Sequence, residues 1–370
     1  MTDVVARATG LPVVGMVGAG QLARMTHQAA ISLGLTLRVL ADNVDDGAAL
    51  VTPEVEIGAA SDNDAVERFA KACDVVTFDH EHVPNDLIAA LTAAGVAMRP
   101  GAGALKFAQD KRAMRQRLGE MGIPIPRWSD NPAELPRPYV AKAVRGGYDG
   151  RGVWVVGETD PLPTGDVIVE EKVTIVHELA VQVARTPSGK TRCWPVVETV
   201  QEDGICVEVI APAPRLSHTL TAEAQALAVR IAEELDVVGV LAVELFEAPH
   251  GLLVNELAMR PHNSGHWSIE GSTTSQFEQH LRAVLDWPLG DTRLRAPVAA
   301  MVNLLGGPAT DLAKTLPAAL EAVPNCSVHL YGKAARPGRK LGHVTALGDD
   351  LEETRTRARQ AAAVLKGDAP

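Results

Sequence analysis

Two acidic side chains, Glu244 and Glu256, stand on consecutive predicted strands, Val238–Glu247 and Leu252–Met259. The short turn Pro249-His250-Gly251 joins the strands, so pairing about this turn sets the two carboxylates opposite each other or one place off. Like charges opposite each other destabilise a sheet unless a cation neutralises them. The pattern therefore predicts a Mg²⁺ site, because Mg²⁺ takes one or two carboxylates together with nucleotide phosphates. The alternative, two solvated glutamates on an open face, is disfavoured by apolar neighbours on both strands.

A polar loop, Arg260-Pro261-His262-Asn263-Ser264-Gly265-His266-Trp267, directly follows the second strand. It combines a guanidinium group, two imidazoles, an amide and a hydroxyl. These groups are the donors expected around a small oxyanion or a transferring phosphoryl group. A lone histidine is usually structural, but this density beside a carboxylate pair favours an active-site loop.

A glycine-rich segment, Gly146-Gly147-Tyr148-Asp149-Gly150-Arg151-Gly152, lies between two predicted strands. Its backbone N–H groups and its arginine can hold an anion, and the segment can close as a lid that excludes water. The alternative is a flexible surface hairpin. Lys142, just before the segment on the preceding strand, favours the functional interpretation.

The turn Gly18-Ala19-Gly20 joins a predicted strand, Pro12–Val17, to a predicted helix, Gln21–Leu33. Glycines at this place allow a phosphate to approach the helix N-terminus, and Asp42 stands about where a ribose-binding acid is found in a dinucleotide fold. A tight turn that needs glycine for geometry alone is an equally good explanation. Because no later segment supplies hydride-transfer chemistry, an NAD-binding dehydrogenase or a non-catalytic nucleotide-binding module stays the weaker alternative.

A basic turn near the end of the chain contains Lys333, Arg336, Arg339 and Lys340. Four cations within eight residues of an acidic chain predict a clamp for a monophosphate. A solvated charged turn is nearly as good an explanation on local grounds.

The elements that must position these groups fall into successive blocks. Strands alternate with helices over the first hundred residues, which predicts a parallel sheet. A helix over Gln109–Met121 then leads into short β-branched strands, the last of them Glu178–Ala184, which together predict a small antiparallel unit. A helix at Ala222–Leu235 precedes the two glutamate strands, and a helix near Leu351–Leu365 closes the chain.

Composition limits the class of protein. A chain of 370 residues predicts two or three domains, and a net charge of −11 argues against nucleic-acid or membrane-surface binding. The four cysteines show neither zinc-site nor disulfide spacing, which indicates a reducing compartment. No apolar run approaches the ~20 residues of a membrane span, and the N-terminus does not resemble a signal peptide. We therefore expect a cytoplasmic protein.

In combination, these motifs resemble the 5-(carboxyamino)imidazole ribonucleotide synthase family of ATP-grasp enzymes. The segments that carry the resemblance are the glycine-rich segment, the polar loop, Asn255-Glu256-Leu257-Ala258, the basic turn at 336–340 and the opening motif at 18–25. The match spans nearly the full chain. It implies an α/β and α+β fold with a Rossmann-like domain at 1–100, an ATP-grasp core at 101–295 and a small C-terminal β-rich domain at 296–370. A mobile β lid near 125–200 would belong to the core.

The resemblance also implies a reaction. ATP would phosphorylate bicarbonate to carboxyphosphate, and the carboxyl group would pass to the exocyclic amine of 5-aminoimidazole ribonucleotide. Mg²⁺, with Mn²⁺ as a substitute, would serve as the metal, and the protein would be a homodimer. An ATP-grasp ligase with a different amine or carboxylate acceptor is the alternative.

Site roles follow from the resemblance residue by residue. Metal binding falls to Glu244 and Glu256, and catalysis at the bicarbonate end to Arg151, Arg260, His262, Asn263 and Ser264. The substrate ribonucleotide would contact Gln21, Glu81, Tyr148, Asp149, Arg151, Lys333 and Arg339. ATP would contact Lys111, Lys142, Gly146, Gly147, Tyr148, Asp149, Gly150, Arg151, Gly152, Glu170, Glu171, Lys172, Val173, Glu178, Gln201, Asn255 and Glu256.

The chain departs from the family pattern at three positions. Phe107 replaces an arginine, Gln201 replaces a histidine of the nucleotide pocket, and Asp79 stands where glutamate is usual. These departures concern individual contacts and leave the reaction class unchanged.

Overall fold

The computed structural model describes residues 10–147, 150–307 and 310–367, and it contains three β-sheets. The first sheet is parallel, with the order β3-β2-β1-β4, as the alternation of strands and helices predicts. Gly18, directly after the first strand, has a φ of 99°, a conformation that glycine adopts without strain. The elements of this part are β1 (Val13–Val17), α1 (Gln21–Ser32), β2 (Thr36–Ala41), β3 (Val55–Ile57), α2 (Asn63–Ala70), β4 (Val75–Phe78) and α3 (Asn85–Ala93).

The second sheet is small and antiparallel, with the order β5-β8-β6-β7. Two helices between residues 102 and 120 precede this sheet, whereas the sequence predicts a single helix over Gln109–Met121. The break falls at Asp110, whose backbone is extended and whose carboxylate accepts a 2.9 Å hydrogen bond from the Ala113 N–H as an N-cap. Lys111 therefore begins the second helix. The elements are α4 (Ala102–Gln109), α5 (Lys111–Glu120), β5 (Trp128–Ser129), β6 (Tyr139–Ala143), β7 (Val153–Val156) and β8 (Val167–Glu171).

The third sheet has nine strands and contains both glutamate strands. The strands of this sheet and the helices between them are, in chain order, β9 (His177–Arg185), β10 (Thr191–Cys193), β11 (Val197–Glu202), β12 (Ile205–Ala211), α6 (His218–Glu234), β13 (Gly239–Ala248), β14 (Gly251–Ala258), α7 (Ser268–Gly271) and α8 (Gln276–Val284). They continue with β15 (Val298–Leu305), α9 (Leu312–Ala322), β16 (Cys326–Leu330), β17 (Lys340–Gly348) and α10 (Leu351–Lys366).

The strand order of this sheet is β14-β13-β9-β11-β12-β15-β17-β16, and β10 pairs with β9. The grouping of Glu178–Ala184 with the small antiparallel unit is wrong, because β9 pairs with β13 and β11 in the large sheet. The C-terminal strands form no sheet of their own, since β15 pairs directly with β12. The glutamate strands and the C-terminal segment therefore belong to one sheet, while the domain boundaries drawn from the sequence stay a prediction.

Helix α6 covers one face of the large sheet through small side chains. Ala224, Ala228 and Ile231 are fully buried in the same apolar cluster as Val181 of β9 and Val243 of β13. Alanine at successive turns lets the helix approach the sheet closely, and close packing holds the strands that carry the glutamates. None of the helices within the described ranges is long and apolar enough to cross a membrane.

Candidate active site

A cavity of about 980 Å³ lies between the parallel sheet, the small antiparallel sheet and the nine-stranded sheet. Most of the side chains that the sequence singled out share its wall. They are Gln21, Glu81, Lys111, Lys142, Gly146, Gly147, Gly150, Glu170, Glu171, Lys172, Val173, Glu178, Gln201, Glu244, Asn255, Glu256, Arg260, His262, Asn263 and Lys333. Residues far apart in the chain are thus brought to one site.

Four predicted residues, Arg151, Gly152, Ser264 and Arg339, do not line this cavity. Ser264 is buried, and its hydroxyl lies 2.9 Å from His262 Nδ1, so it holds the histidine and does not face the cavity. The guanidinium of Arg339 reaches only the carbonyl of Ala334, at 3.4 Å, among its described hydrogen bonds. Tyr148 and Asp149 lie outside the described residues, and the roles assigned to them stay predictions.

The glutamate pair forms the floor of the cavity. Glu244 of β13 pairs directly with Glu256 of β14, and the register is irregular immediately after Glu244. The Asn255 amide donates to Glu244 at 3.5 Å. Burial, followed by the charge of Glu256, raises the pKa of Glu244 to about 7. The predicted opposition of the two carboxylates is confirmed, and it adds to the effect of burial on the pKa of Glu244.

Lys111 compensates one member of this pair. Its ammonium group lies 2.5 Å from Glu256 Oε1. Burial would raise the pKa of Glu256, but the charge and hydrogen bond of Lys111, together with the charges of Lys142 and Arg115, outweigh burial and the pKa is lowered. The pKa values of the two carboxylates thus shift in opposite directions. Glu256 is held ionised by its cationic neighbours, while an added cation would stabilise the ionised form of Glu244.

A buried ion network supports Lys142. Its ammonium group lies 2.8 Å from Glu170 Oε2 and 2.9 Å from Asn255 Oδ1. Arg115, with no exposed surface, grips the same Glu170 carboxylate through Nε at 2.7 Å and Nη2 at 3.1 Å. Burial opposes the charge of Glu170, yet the two cations bring its pKa down to about 2.

Arg115 also reaches β14, the strand of Glu256. It donates to the backbone carbonyls of Val254 and Asn255 at 2.9 and 2.8 Å. One side chain of α5 therefore ties β8 of the small sheet to β14 of the large sheet. Sequence reasoning missed Arg115, because nothing in its spacing distinguishes a buried arginine from a solvated one on a helix.

The loop after β14 carries His262 and Arg260 into the cavity. His262 Nε2 lies 3.6 Å from Glu244 Oε1, and Arg260 Nε lies 2.9 Å from Glu81 Oε1. Burial, followed by the Arg260 charge, lowers the pKa of His262 to about 3, so the imidazole is neutral near pH 7. A neutral imidazole and a fixed guanidinium provide hydrogen-bond donors beside the glutamate pair.

Two lysines of the C-terminal segment, Lys333 and Lys340, also line the cavity. The Lys333 ammonium group donates to the Gln21 side chain, which joins the C-terminal segment to α1. Arg339, which the resemblance selects as a phosphate contact, does not line the cavity, whereas its neighbour Lys340 in the same basic turn does. His80 and His82 were also missed. Their position directly after β4, at the carboxyl end of a parallel strand, is the signal that could have found them.

The Gly18–Gly20 turn is closed to a phosphate. The Gly20 N–H, at the N-terminus of α1, donates to the Asp79 carboxylate. A Cβ at Gly20 would lie 2.9 Å from that carboxylate, so the glycine is needed for this close approach. Asp79 thus occupies the place where a dinucleotide would put its pyrophosphate, which contradicts the NAD alternative.

Comparison with known proteins matches the chain to three family models. They are the ribonucleotide synthetase preATP-grasp domain over residues 11–109, the ATP-grasp domain over 123–277 and the phosphoribosylaminoimidazole carboxylase C-terminal domain over 299–357. The N5-carboxyaminoimidazole ribonucleotide synthase of Mycobacterium tuberculosis (strain H37Rv) is 54% identical over 95% of this chain and 87% of its own length.

Two solved structures from Aspergillus clavatus are similar across almost the whole chain. Carboxyaminoimidazole ribonucleotide synthase in complex with ATP is 35% identical, with a TM-score of 0.88, covering 97% of this chain and 99% of its own. N5-carboxyaminoimidazole synthase in complex with ADP and 5-aminoimidazole ribonucleotide is 34% identical, with a TM-score of 0.87, covering 96% and 99%.

Proposed function

Because the chain belongs to the N5-carboxyaminoimidazole ribonucleotide synthase family of ATP-grasp ligases, we propose that it carboxylates 5-aminoimidazole ribonucleotide at the expense of ATP. Bicarbonate is the proposed carboxyl source and carboxyphosphate the intermediate. The products are then N5-carboxyaminoimidazole ribonucleotide, ADP and phosphate. This is a step of purine biosynthesis.

One observation carries this proposal: a single cavity is lined by a carboxylate pair with two lysines beside it and by two further lysines of the C-terminal segment. The pair is Glu244 and Glu256, and the further lysines are Lys333 and Lys340. His262 and Arg260 lie beside the pair. An ATP-dependent ligase needs these groups in one cavity, because the phosphorylated intermediate must meet its acceptor without leaving the site.

The residues present fit Mg²⁺. Facing carboxylates with a neighbouring amide are the oxygen ligands that a hard cation prefers, and the raised pKa of Glu244 marks a negative charge in need of compensation. Over the described ranges, no three His, Cys, Asp or Glu side chains group into a metal site by themselves. This suits Mg²⁺, which leaves further positions to water and nucleotide phosphates, and Mn²⁺ is the proposed substitute. When bound, the ion neutralises phosphate charge during transfer.

Lys111 and Lys142 are proposed to hold the ATP phosphates in line with bicarbonate. A bicarbonate oxygen attacks the γ-phosphorus, the bond to the β–γ bridging oxygen breaks, and ADP leaves. Such a transfer needs alignment and charge neutralisation more than a nucleophilic side chain. The buried network of Lys142, Glu170 and Arg115 supports this role, since it fixes one of the two ammonium groups.

Arg260 and His262 are proposed to hold bicarbonate and then carboxyphosphate. The neutral His262 can donate a hydrogen bond, and Arg260 supplies positive charge. The exocyclic amine attacks the carboxyl carbon, directly or after release as CO₂. The bond between that carbon and the phosphate oxygen breaks, and the amine loses a proton. Enclosure protects carboxyphosphate from water.

The test is ADP release in the presence of Mg²⁺ and bicarbonate, measured with and without 5-aminoimidazole ribonucleotide. We expect the ribonucleotide to stimulate release and to become carboxylated when ¹³C-bicarbonate is supplied. ADP release that depends on bicarbonate but ignores this ribonucleotide would favour the alternative, a ligase with a different acceptor. The homodimer and the cytoplasmic location stay predictions, to be checked by light scattering and by cell fractionation.

A further inference from the structure

Gln276, the first residue of α8, has no exposed surface and no place among the roles assigned above. Its amide oxygen accepts from the His262 backbone N–H at 2.8 Å and from Gln182 Nε2 at 3.0 Å. Its amide nitrogen donates to the His262 backbone carbonyl at 2.8 Å and lies 2.9 Å from His266 Nδ1. All four hydrogen-bonding positions of the side chain are therefore in use.

The orientation of this amide is determined by the backbone. The His262 N–H requires an oxygen opposite it, and the His262 carbonyl requires an NH₂ group, so the amide cannot be turned over. The second N–H of Gln276 then points to His266 Nδ1, which must accept. In a neutral imidazole the proton is consequently on Nε2 of His266.

Gln276 also links the polar loop to the large sheet. Its partner Gln182 lies on β9, and Gln182 packs so closely on Gly265 that a Cβ there would come within 2.0 Å of the amide. The loop is therefore held on one side by α8 and on the other by β9. The backbone of His262, whose ring reaches toward Glu244, is thereby hydrogen-bonded on both its N–H and its carbonyl.

We propose that Gln276 is a positioning residue for the reaction: it fixes the backbone of His262 and the tautomer of His266, and so places the 260–267 loop beside the glutamate pair. The inference rests on the proposed function, in which Arg260 and His262 hold the bicarbonate end. Gln276 touches no reacting atom in this scheme and acts through the loop. Substitution of Gln276 should therefore lower turnover but leave nucleotide binding intact, because Lys111 and Lys142 are held by other contacts.

The chain offers a matched control on the same helix. Gln279 is equally buried, and its amide clamps the backbone of Gly290 in the same two-sided way, at 2.7 and 2.9 Å. Gly290 does not line the cavity. A substitution at Gln279 therefore removes a comparable buried amide without touching the polar loop.

The experiment compares Gln276→Glu and Gln276→Met with Gln279→Glu and Gln279→Met. We expect kcat of ribonucleotide-dependent ADP release to fall about 10²-fold in the Gln276 variants, the loss typical of a misplaced site. Their Kd for MgADP should stay within about 2-fold of wild type, a difference well under the 1.4 kcal/mol of a tenfold change. The Gln279 variants should also lose melting temperature, because buried hydrogen bonds are lost there too, but they should keep kcat. Wild-type kcat in both Gln276 variants, or an equal loss of kcat in the Gln279 variants, overturns the proposal.

A spectroscopic measurement separates this inference from the proposed function. Nitrogen-15 NMR of histidine-labelled protein should show His266 as the Nε2–H tautomer in the wild type, assigned by its absence in His266→Gln. Gln276→Glu replaces the donor with a carboxylate oxygen, so Nδ1 should become protonated. An unchanged tautomer in that variant overturns the placement by Gln276. A wild type with the expected tautomer but no ribonucleotide-dependent activity overturns the proposed function alone.

Discussion

The buried carboxylate of Glu170 can be neutralised with almost no change of shape by the substitution Glu170→Gln. Glu170 is 2% exposed and contacts two cations, Arg115 at 2.7 Å and Lys142 at 2.8 Å. The variant leaves both cations buried without their anion. Breaking a buried pair in this way typically costs about 3–5 kcal/mol.

The depressed pKa gives a second estimate of the same cost. The difference between about 2 in the folded chain and the ordinary value of 4.5 corresponds to about 3 kcal/mol of stability. Because the folded pKa is lowered, this stability is fully present above pH 4.5 and is lost as the pH falls toward 2. By pH 4 the wild type should already have lost about 1 kcal/mol of its advantage over the variant.

Urea unfolding followed by circular dichroism at pH 7 and pH 4 measures both effects. The control is Asp166→Asn. Asp166 is exposed and lies 2.7 Å from Arg112, which is on the same helix as Arg115. That pair is solvated, so its loss should cost at most about 1 kcal/mol. The reasoning is refuted if Glu170→Gln costs no more than Asp166→Asn at pH 7, or if its cost is the same at both pH values.

Two further substitutions test two parts of the cavity wall. Glu256→Gln removes one of the two carboxylates proposed to hold Mg²⁺ and the partner of Lys111, so kcat should fall about 10²-fold or more and the Mg²⁺ titration of ADP release should move to higher concentration. Full turnover at the same Mg²⁺ midpoint would contradict the metal assignment. Lys333, which lines the cavity, is predicted to hold the phosphate of the ribonucleotide, so Lys333→Met should raise the KM for the ribonucleotide about tenfold or more while MgADP affinity stays constant, because a charged hydrogen bond to that phosphate would be lost. Arg339→Met is the comparison, and an equal rise there would show that the neighbouring turn also reaches the phosphate.

The glutamate pair could be predicted from the sequence because local rules determine it. A short turn fixes the register of a hairpin, and the register places Glu244 opposite Glu256. The role of the Gly18–Gly20 turn could not be decided from the sequence, because it depends on a long-range contact. The Gly20 N–H is taken by Asp79, which is 59 residues away in the chain.

The features that the sequence did not predict depend on long-range pairing. Periodicity identifies β9 as a strand but cannot say which sheet it joins. Arg115 and Gln276 are ordinary helix residues in sequence, and only the partners brought by folding, Glu170 and His262, give them a role. Within the polar loop, sequence gave the composition but not the direction of each side chain, so Ser264 was assigned to the cavity although it is buried beneath His262.

The pairing of β15 with β12 makes the C-terminal segment a poor unit of recombination. An exchange of residues 299–357 with a relative would follow a boundary of the family model while cutting through a continuous sheet. The incoming strand would have to restore the alignment of Ala300 with Ile210, because a slip of one residue turns every side chain of that strand to the opposite face. Lys340, which opens β17, would then leave the cavity. A chimaera that keeps this alignment would leave the residues proposed to bind ATP unchanged, so any change of acceptor substrate could be attributed to the exchanged segment.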